Sequence, residues 1–180
     1  DGKIMQYVHY SVLQKEVLTF LKADDKEAFL VDCTLGEGGH SELFLKSYPN
    51  LKVLGLDRDK FIMEKAKHRL ENFGERFSAK NTWFDEFWTN YEGPQVDFIL
   101  FDLGISVFHY QESGRGFSFK KPEVLDIRLN VNGNLDAKDV VNTYDEESLA
   151  NLIYNYGEER YSRRIARAIC NYRVNKEIEF

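Results

Sequence analysis

The sequence predicts an α/β fold, a parallel sheet flanked by helices and followed by a mostly helical region. Short apolar runs alternate with helix-periodic segments from Ser11 to Asp102. Three of those runs end in polar residues, at Thr34 to Ser41, at Asp57 and at Asp102, and the first of these ends is rich in glycine. After Asp136 only helical periodicity remains. Alternating strands and helices imply βαβ units with right-handed crossovers, and such sheets bind ligands at the carboxyl ends of their strands. A cap or a turn accounts for one polar strand end. Three in succession favour a crevice.

"SVLQKEVLTFL", from Ser11, is helix-periodic, with Val12, Leu13, Val17, Phe20 and Leu21 expected to face a core. "EAFLVDCT" is a buried strand. A glycine knot follows, then a helix through "HSELFLKSY" that stops near Pro49. "KVLGLD" is the second strand, closing in Asp57. "DKFIMEKAKHRLENFG" is an amphipathic helix with Asp59 as its cap and Gly74 just past its end. "RFSAKNT" is a weaker third strand, and "VDFILFDLG" a strong fourth that closes in Asp102. "LGISVFHYQESGRGFSFKKPEVLD" has no clean period. A connection of that length is functional or disordered, and its aromatics favour order. "DAKDVVNTY", "DEESLANLIYNYG" and "EERYSRRIARAICNYR" are the closing helices.

The 180 residues, 43% hydrophobic and 30% charged, suit one globular domain with an appendage. No apolar run is long enough to cross a bilayer, so no membrane partner is expected. Cys33 and Cys170 lie far apart, as in a reduced, cytoplasmic protein. Neither the cysteines nor His9 and His68 show metal-ligand spacing, and no metal is expected. The net charge of −6 argues against indiscriminate polyanion binding, but leaves room for a nucleic-acid enzyme whose basic residues are concentrated in one place.

Gly36-x-Gly38-x-x-Ser41 nearly matches the dinucleotide fingerprint, with Ser41 where the third glycine belongs. Asp57, closing the next strand, is placed to accept hydrogen bonds from a ribose diol. A charged hydrogen bond of that kind is worth about 1.5–3 kcal/mol. A nicotinamide cofactor and S-adenosylmethionine both carry an adenosine ribose, so the spacing leaves both open. Two features tilt the choice to the second. Asp32-x-Thr34-x-Gly36-x-Gly38 follows the methyltransferase spacing Asp-x-Gly-x-Gly-x-Gly, with Thr34 in the first glycine's place. "FDLGIS" also puts polar groups at the fourth strand end, where methyltransferases acting on an amino nitrogen have them. Nothing nominates a hydride-transfer site.

With those motifs in hand, the chain resembles the bacterial 16S ribosomal RNA cytosine N4-methyltransferases. His9-Tyr10-Ser11-Val12-Leu13 before Glu16-Val17 is similar to the family's His-x-Pro-Val-Leu opening, with Ser11 replacing proline. Asp32 to Ser41 meets the family's Asp-x-Thr-x-Gly-x-Gly-Gly-His-Ser residue for residue. Gly55 to Asp59, Phe101 to Ser106, Arg115 to Phe119, Leu125 to Arg128 and Tyr156 to Arg160 carry further family motifs, in order, over the whole chain. The resemblance implies a Rossmann-like class I methyltransferase half-sheet in residues 1–112 and a long loop plus helical substrate-recognition insertion in residues 113–180. It implies S-adenosylmethionine as cofactor and 16S rRNA of the small ribosomal subunit as substrate. Cofactor contacts are expected at Gly36, Gly38, Gly39, His40, Asp57 and Asp102, with Phe84 as a wall against the adenine. His109 stands where the family usually has a glutamine, and Val124 where it has a proline. Family members continue past this chain's end and return to complete the sheet. The fourth strand is therefore expected to be a bare apolar edge, the chain being either an excerpt or half of a homodimer whose second copy supplies the missing strands.

The reaction so implied is methyl transfer to the exocyclic amine of a cytosine. Asp102 is the candidate acceptor for that amine, supported by Ser106, with pure cofactor binding as its rival role. A base splayed from its stack is held by aromatic stacking and read on its edges. Phe108 and Tyr110, interleaved with Arg115, are the candidates for that task. Phe117 and Phe119 are expected to pack instead. Arg160, Arg164 and Arg167 are read as one helix face opposite Ile165, Ala168, Ile169 and Tyr172, with Arg163 and Arg173 adding to the cluster. Such a face is either solvated or contacts RNA phosphates. Glu158-Glu159 reads as a helix cap.

Overall fold

The structure, a computed structural model, describes residues 11–23 and 26–180; His9 and Tyr10 of the opening motif lie outside the described residues. Strands β1 (Ala28–Asp32), β2 (Leu51–Asp57), β3 (Phe77–Asn81) and β4 (Phe98–Leu100) form one parallel sheet in the order β3-β2-β1-β4. Ala28 pairs with Leu51, Leu30 with Phe98 and Val53 with Phe77. Successive strand residues face opposite sides. Leu30, Leu51 and Val53 therefore pack under α2 (Gly39–Ser47) and α3 (Lys60–Leu70), against Phe44, Leu45, Met63, Ala66 and Leu70. Val31 and Leu56 point the other way, to Phe87 of α4 (Phe84–Thr89). Each fully buried side chain of this size contributes about 1.5–3 kcal/mol. This is the expected Rossmann-like α/β half-sheet. Its strand order reverses between β1 and β4, which makes the carboxyl ends of those two strands the topological switch point.

Several local expectations need correction. Helix α1 spans only Gln14–Phe20, and Leu13 ahead of it takes a left-handed backbone, φ 51°. A seven-residue helix buries one narrow stripe, here Val17 and Leu18, with Leu21 just beyond its end. Val12, Leu13 and Phe20 fall off that stripe and are exposed rather than core-facing. Asp59 caps α3 as expected, accepting from the Phe61 N–H at 2.8 Å. A 3₁₀ turn, Glu71–Arg76, continues from α3, and Gly74 breaks it with a positive φ of 56°, so the helical stretch ends at this glycine as expected. Helix α5 (Val107–Gln111) lies in the stretch without a clean period, and α4 lies between the third and fourth strands, where the sequence pattern assigns no element. Strand β4 stops at Leu100, because its partner β1 ends at Asp32, the residue paired with Leu100.

The chain divides into two compact units, Asp1–Val107 and Phe108–Phe180. In the second, Arg128 forks onto Asp126 at 2.6 and 2.9 Å and donates to the Gly133 carbonyl at 2.7 Å. That hydrogen-bonded fork also holds the Asp126 carboxyl below its usual range. Arg115 spans the carbonyls of Arg128 and Leu129, so the long connection is ordered by guanidinium clamps. Phe117 is half-buried beside His109, with ring centroids 5.1 Å apart, as the packing reading expects. Phe119 is 97% exposed and does not pack. Helices α6 (Ala137–Thr143), α7 (Glu146–Gly157) and α8 (Ser162–Arg173) follow. The inward stripe of α8 is Ser162, Ala166, Ile169 and Cys170, against Leu149, Ala150 and Ile153 of α7. Of the apolar face expected there, only Ile169 turns inward. Small residues at the crossing let the two helices approach, so the larger Ile165 and Tyr172 are left exposed.

Strand β4 sits at an edge of the described sheet, with Ile99 51% exposed and Phe101 beside it also exposed. An apolar edge of this kind templates association. Ile99→Lys is expected to lower concentration-dependent self-association in sedimentation velocity while leaving the thermal midpoint within a few degrees. Association unchanged by the lysine would exonerate this edge.

Candidate functional site

Where β1 and β4 part at the switch point, two hydrogen bonds tie their carboxyl ends together. The Cys33 N–H donates to the Leu100 carbonyl at 2.9 Å. One step further, the Asp102 N–H donates to Thr34 Oγ1 at 2.7 Å. A glycine in the place of Thr34 would leave that amide without its acceptor, so the side chain fixes where Asp102 stands.

The glycine turn between β1 and α2 is held by two strand-end carboxylates. Asp57 Oδ2 accepts from the Gly36 N–H at 2.8 Å, and its Oδ1 accepts from the Asp59 N–H at 2.8 Å. Asp32 Oδ1 accepts from the Thr34 N–H at 3.1 Å, and its Oδ2 from Ser41 Oγ at 2.7 Å. Gly36 and Gly38 have φ of 52° and 79°, in the left-handed region that favours glycine. A Cβ on Gly38 would come within 2.9 Å of Leu70 Cδ1, so helix α3 abuts the turn from below. A Cβ on Gly36 would meet nothing nearer than the Thr34 carbonyl at 3.9 Å, so this backbone face is open to a ligand. Burial pushes the Asp32 carboxyl up to about 6, against the pull of its Ser41 and Thr34 hydrogen bonds. Burial also raises the Cys33 thiol, whose Sγ accepts from Trp88 Nε1 at 3.4 Å.

His40 opens α2 and is 7% exposed, whereas Asp102 is 47% exposed. Its Nε2 lies 2.8 Å from the Val12 carbonyl. A carbonyl only accepts, so Nε2 carries a hydrogen and Nδ1 is the atom that faces Asp102 Oδ2, at 3.8 Å. His40 thus both packs, stacking on Phe44 at 6.2 Å, and points a titratable nitrogen at the exposed carboxylate.

Gly36, Gly38, Gly39, His40, Asp57 and Asp102 therefore gather at one end of one sheet. Phe84 begins α4 and meets Phe101 edge to face, with centroids 5.2 Å apart, so α4 crosses from the β3 end to the β4 end. Asp57 accepts two backbone hydrogens, one per oxygen. His109 is buried in the second unit against Phe108 and Phe117. Tyr110 is exposed, and Phe108 is half-buried. Arg115 serves backbone carbonyls, and Arg167 pairs with Glu146 at 3.2 Å. Arg160 precedes α8 rather than sharing its face, and stacks over Tyr161 at 4.7 Å. Glu159 accepts from the Tyr161 N–H at 2.7 Å, ahead of α8, so it does not cap that helix, which has no side-chain cap.

Sequence reasoning missed three contributors: the Thr34 hydroxyl as a clamp, the Ser41–Asp32 hydrogen bond, and Asn81. The Asn81 Nδ2 donates to the Asp57 and Arg58 carbonyls at 2.8 and 2.9 Å. Asn81 ends β3, so the fourth polar strand end was a usable signal. Among the described residues, no group of three or more His, Cys, Asp or Glu could hold a metal ion, and no helix is long and apolar enough to cross a membrane.

The sequence matches the MraW methylase family over residues 6–180. It is similar to proteins named ribosomal RNA small subunit methyltransferase H, at 56% identity over 172 residues in Treponema denticola and 50% over 175 residues in Borrelia turicatae. These alignments cover 94% and 95% of this chain but 55% and 59% of those proteins, so the chain spans little more than half the length of the curated relatives it matches. A crystal structure of an rRNA methylase from Streptococcus thermophilus covers 57% of this chain and 58% of that one at TM-score 0.42 and 19% identity, a likeness too slight to carry weight.

Two outcomes are expected from this geometry. Thr34→Val keeps the shape but removes the acceptor for Asp102. It should cost about 1 kcal/mol and speed amide hydrogen exchange at Asp102. Asp32 binds its proton more firmly folded than unfolded, from pH 3.8 to about 6. Its contribution is therefore greatest below that window and is lost as pH rises through it. Urea titrations of Asp32→Asn against the parent should show the difference moving toward the variant by up to about 3 kcal/mol between pH 4 and 7. A flat difference would mean that Asp32 stays ionised throughout.

Proposed function

The chain belongs to the MraW methylase family, and from that premise we propose that it carries the S-adenosylmethionine crevice and part of the substrate arm of an RNA methyltransferase. Its product is the N4-methyl form of a specific cytidine in 16S rRNA of the small ribosomal subunit, which puts its work in the cytoplasm. The observation that carries this reading is Asp102, held at the switch point by Thr34, exposed, and backed by His40. The names of the relatives support rRNA of the small subunit as the substrate class.

The residues present fit the cofactor. The open backbone at Gly36 gives a surface a methionine moiety can approach closely, while Gly38 and Gly39 carry the turn past Leu70 and Ser11, which abut them. Asp57 closes β2 beside the glycine turn, where a ribose diol would meet its carboxylate, and Phe84 with Phe101 offers an apolar wall. His109 is a weaker cofactor candidate, because its ring is taken up by packing in the second unit. When bound, S-adenosylmethionine supplies a methyl group already activated on a sulfonium.

The residues of the chain then have to make a poor nucleophile reactive. The N4 lone pair of cytosine is delocalised into the ring, and it localises only as the nitrogen pyramidalises and sheds a proton. The Asp102 carboxylate accepts a hydrogen bond from the amine and then its proton, with Ser106 as a further polar group on the same segment. His40 Nδ1, 3.8 Å behind, stabilises the carboxylate when protonated. General-base assistance of this kind gives about 10²–10⁴ in rate, and positioning of the two reactants supplies more. Tyr110, Phe108 and the arginines Arg115, Arg160, Arg164 and Arg167 are the candidates for the RNA side. Arg160 and Arg164 are the best of these, since Arg115 and Arg167 have partners within the protein.

Calorimetry should find S-adenosylhomocysteine bound and NAD not bound. With a chain of the relatives' full length, Asp102→Asn should lower methyl transfer to small ribosomal subunits about 10²-fold or more while cofactor affinity holds. Nucleoside analysis of the product checks the N4 position. Affinity lost in step with turnover would make Asp102 a cofactor ligand only.

A further inference from the structure

Helix α8 starts against a strong electrostatic rule. A helix N-terminus carries partial positive charge and favours acids in its first turn. The first turn of α8 has no acidic residue, and Arg160, Arg163 and Arg164 cluster around it. The nearest acid in sequence, Glu159, has one oxygen on the Tyr161 amide. Among the described residues, no carboxylate lies within 4 Å of these three guanidinium groups, in a chain whose net charge is −6. Local rules broken without compensation mark functional sites more often than accidents.

The three arginines line one concave pocket with Tyr154, Tyr161 and Ser162. Tyr161 is its organiser: Arg160 and Arg164 lie over its ring at 4.7 and 5.6 Å, and Arg160 Nη2 donates to its hydroxyl at 2.9 Å. Stacking fixes the guanidinium planes while leaving their N–H edges for a phosphate. Ser162 is only 4% exposed, yet its hydroxyl makes no hydrogen bond with the described residues. A hydroxyl that the described residues leave unengaged, on a serine lining a pocket ringed by cations at a helix N-terminus, is an anion donor in waiting. Tyr154 is 59% exposed, and no guanidinium of the described residues lies over its ring, so it remains available to a planar group.

We propose that this pocket takes one nucleotide unit of single-stranded RNA, its phosphate among Arg160, Arg163, Arg164 and Ser162 and its base on Tyr154. The inference rests on the substrate being RNA and deepens that reading. It assigns Arg163, Ser162 and Tyr154 roles that the charge pattern alone did not. The aromatic face favours RNA over an acidic protein segment, which needs the cations but not the ring.

The test is fluorescence anisotropy of a short single-stranded oligoribonucleotide on the full chain, with amide shifts at 162–164 followed by NMR. Arg163→Glu/Arg164→Glu should weaken RNA binding by about tenfold or more and flatten its salt dependence. The same variant should unfold at an equal or higher temperature, because acids now sit at the helix start. Tyr154→Ala should weaken RNA binding about tenfold and leave the shifts induced by inorganic phosphate unchanged. Unchanged RNA affinity in the double charge variant overturns the proposal. So does polyglutamate competing as well as RNA while Tyr154→Ala is neutral. S-adenosylhomocysteine binding should be unaffected throughout. A full-length protein that binds RNA here but transfers no methyl group would sink the proposed function and leave this site standing.

Discussion

Asp57 holds the glycine turn from its far side, and the rest of the crevice depends on that bond. The Gly36 amide would otherwise point into a strand-end gap with no backbone partner. By accepting it, Asp57 fixes a left-handed turn whose neighbours are then forced into place. Gly38 is driven against Leu70, Gly39 opens α2, and His40 falls at the first turn of that helix, facing Asp102. Asn81 and Thr82 brace the same strand end by donating to the Asp57 carbonyl. A site on the ends of four strands is stiff because each end is fastened to the next by such bonds.

Stiffness of this kind carries a cost, and Asp32 shows where it falls. A carboxylate 1% exposed is a poor occupant of a sheet end unless its donors are complete. It has two, the Thr34 amide and the Ser41 hydroxyl, and they do not fully offset burial, since the group still titrates near 6. The fold therefore gives up stability to keep a negative charge beneath the turn. Active sites commonly hold strain or unfavourable charge for which the surrounding core compensates. Phe44, Leu45, Leu56 and Ile62, all essentially inaccessible, form that surrounding core.

The sheet and its order of elements were legible because period-two and period-3.6 patterns dominate residues that are buried on a regular schedule. The crevice was legible because its residues are polar at positions where burial demands apolar ones. What escaped was set by tertiary neighbours. Val12, Leu13 and Phe20 are as apolar as Val17, and only the shortness of α1 leaves them outside. The inward stripe of α8 is built from Ser162 and Ala166, which no hydrophobicity count would choose over Ile165 and Tyr172; the close approach of α7 chooses them. The expected basic face of α8 dissolved for the same reason, since Arg167 found Glu146 on α7.

That redistribution of charge explains how an acidic chain can serve a polyanion. In the first unit the described arginines are occupied. Arg69 pairs with Glu42 at 2.6 Å, Arg76 caps the carbonyls of Leu45 and Tyr48, and Arg58 lies over Trp83. Burial would raise the Glu42 carboxyl, but hydrogen bonds from Lys46 and Arg69 hold it below its usual range, so those bonds are made by charged partners. Cations so engaged are poorly placed to attract phosphates. At the start of α8, Arg160 and Arg164 are engaged with Tyr161, its ring and its hydroxyl, which neutralises nothing. Counterion release on phosphate binding scales with the charges left available rather than with net charge. An overall charge of −6 then helps, because net repulsion disfavours indiscriminate contact with nucleic acid and leaves the arginines at the start of α8 as the favoured approach.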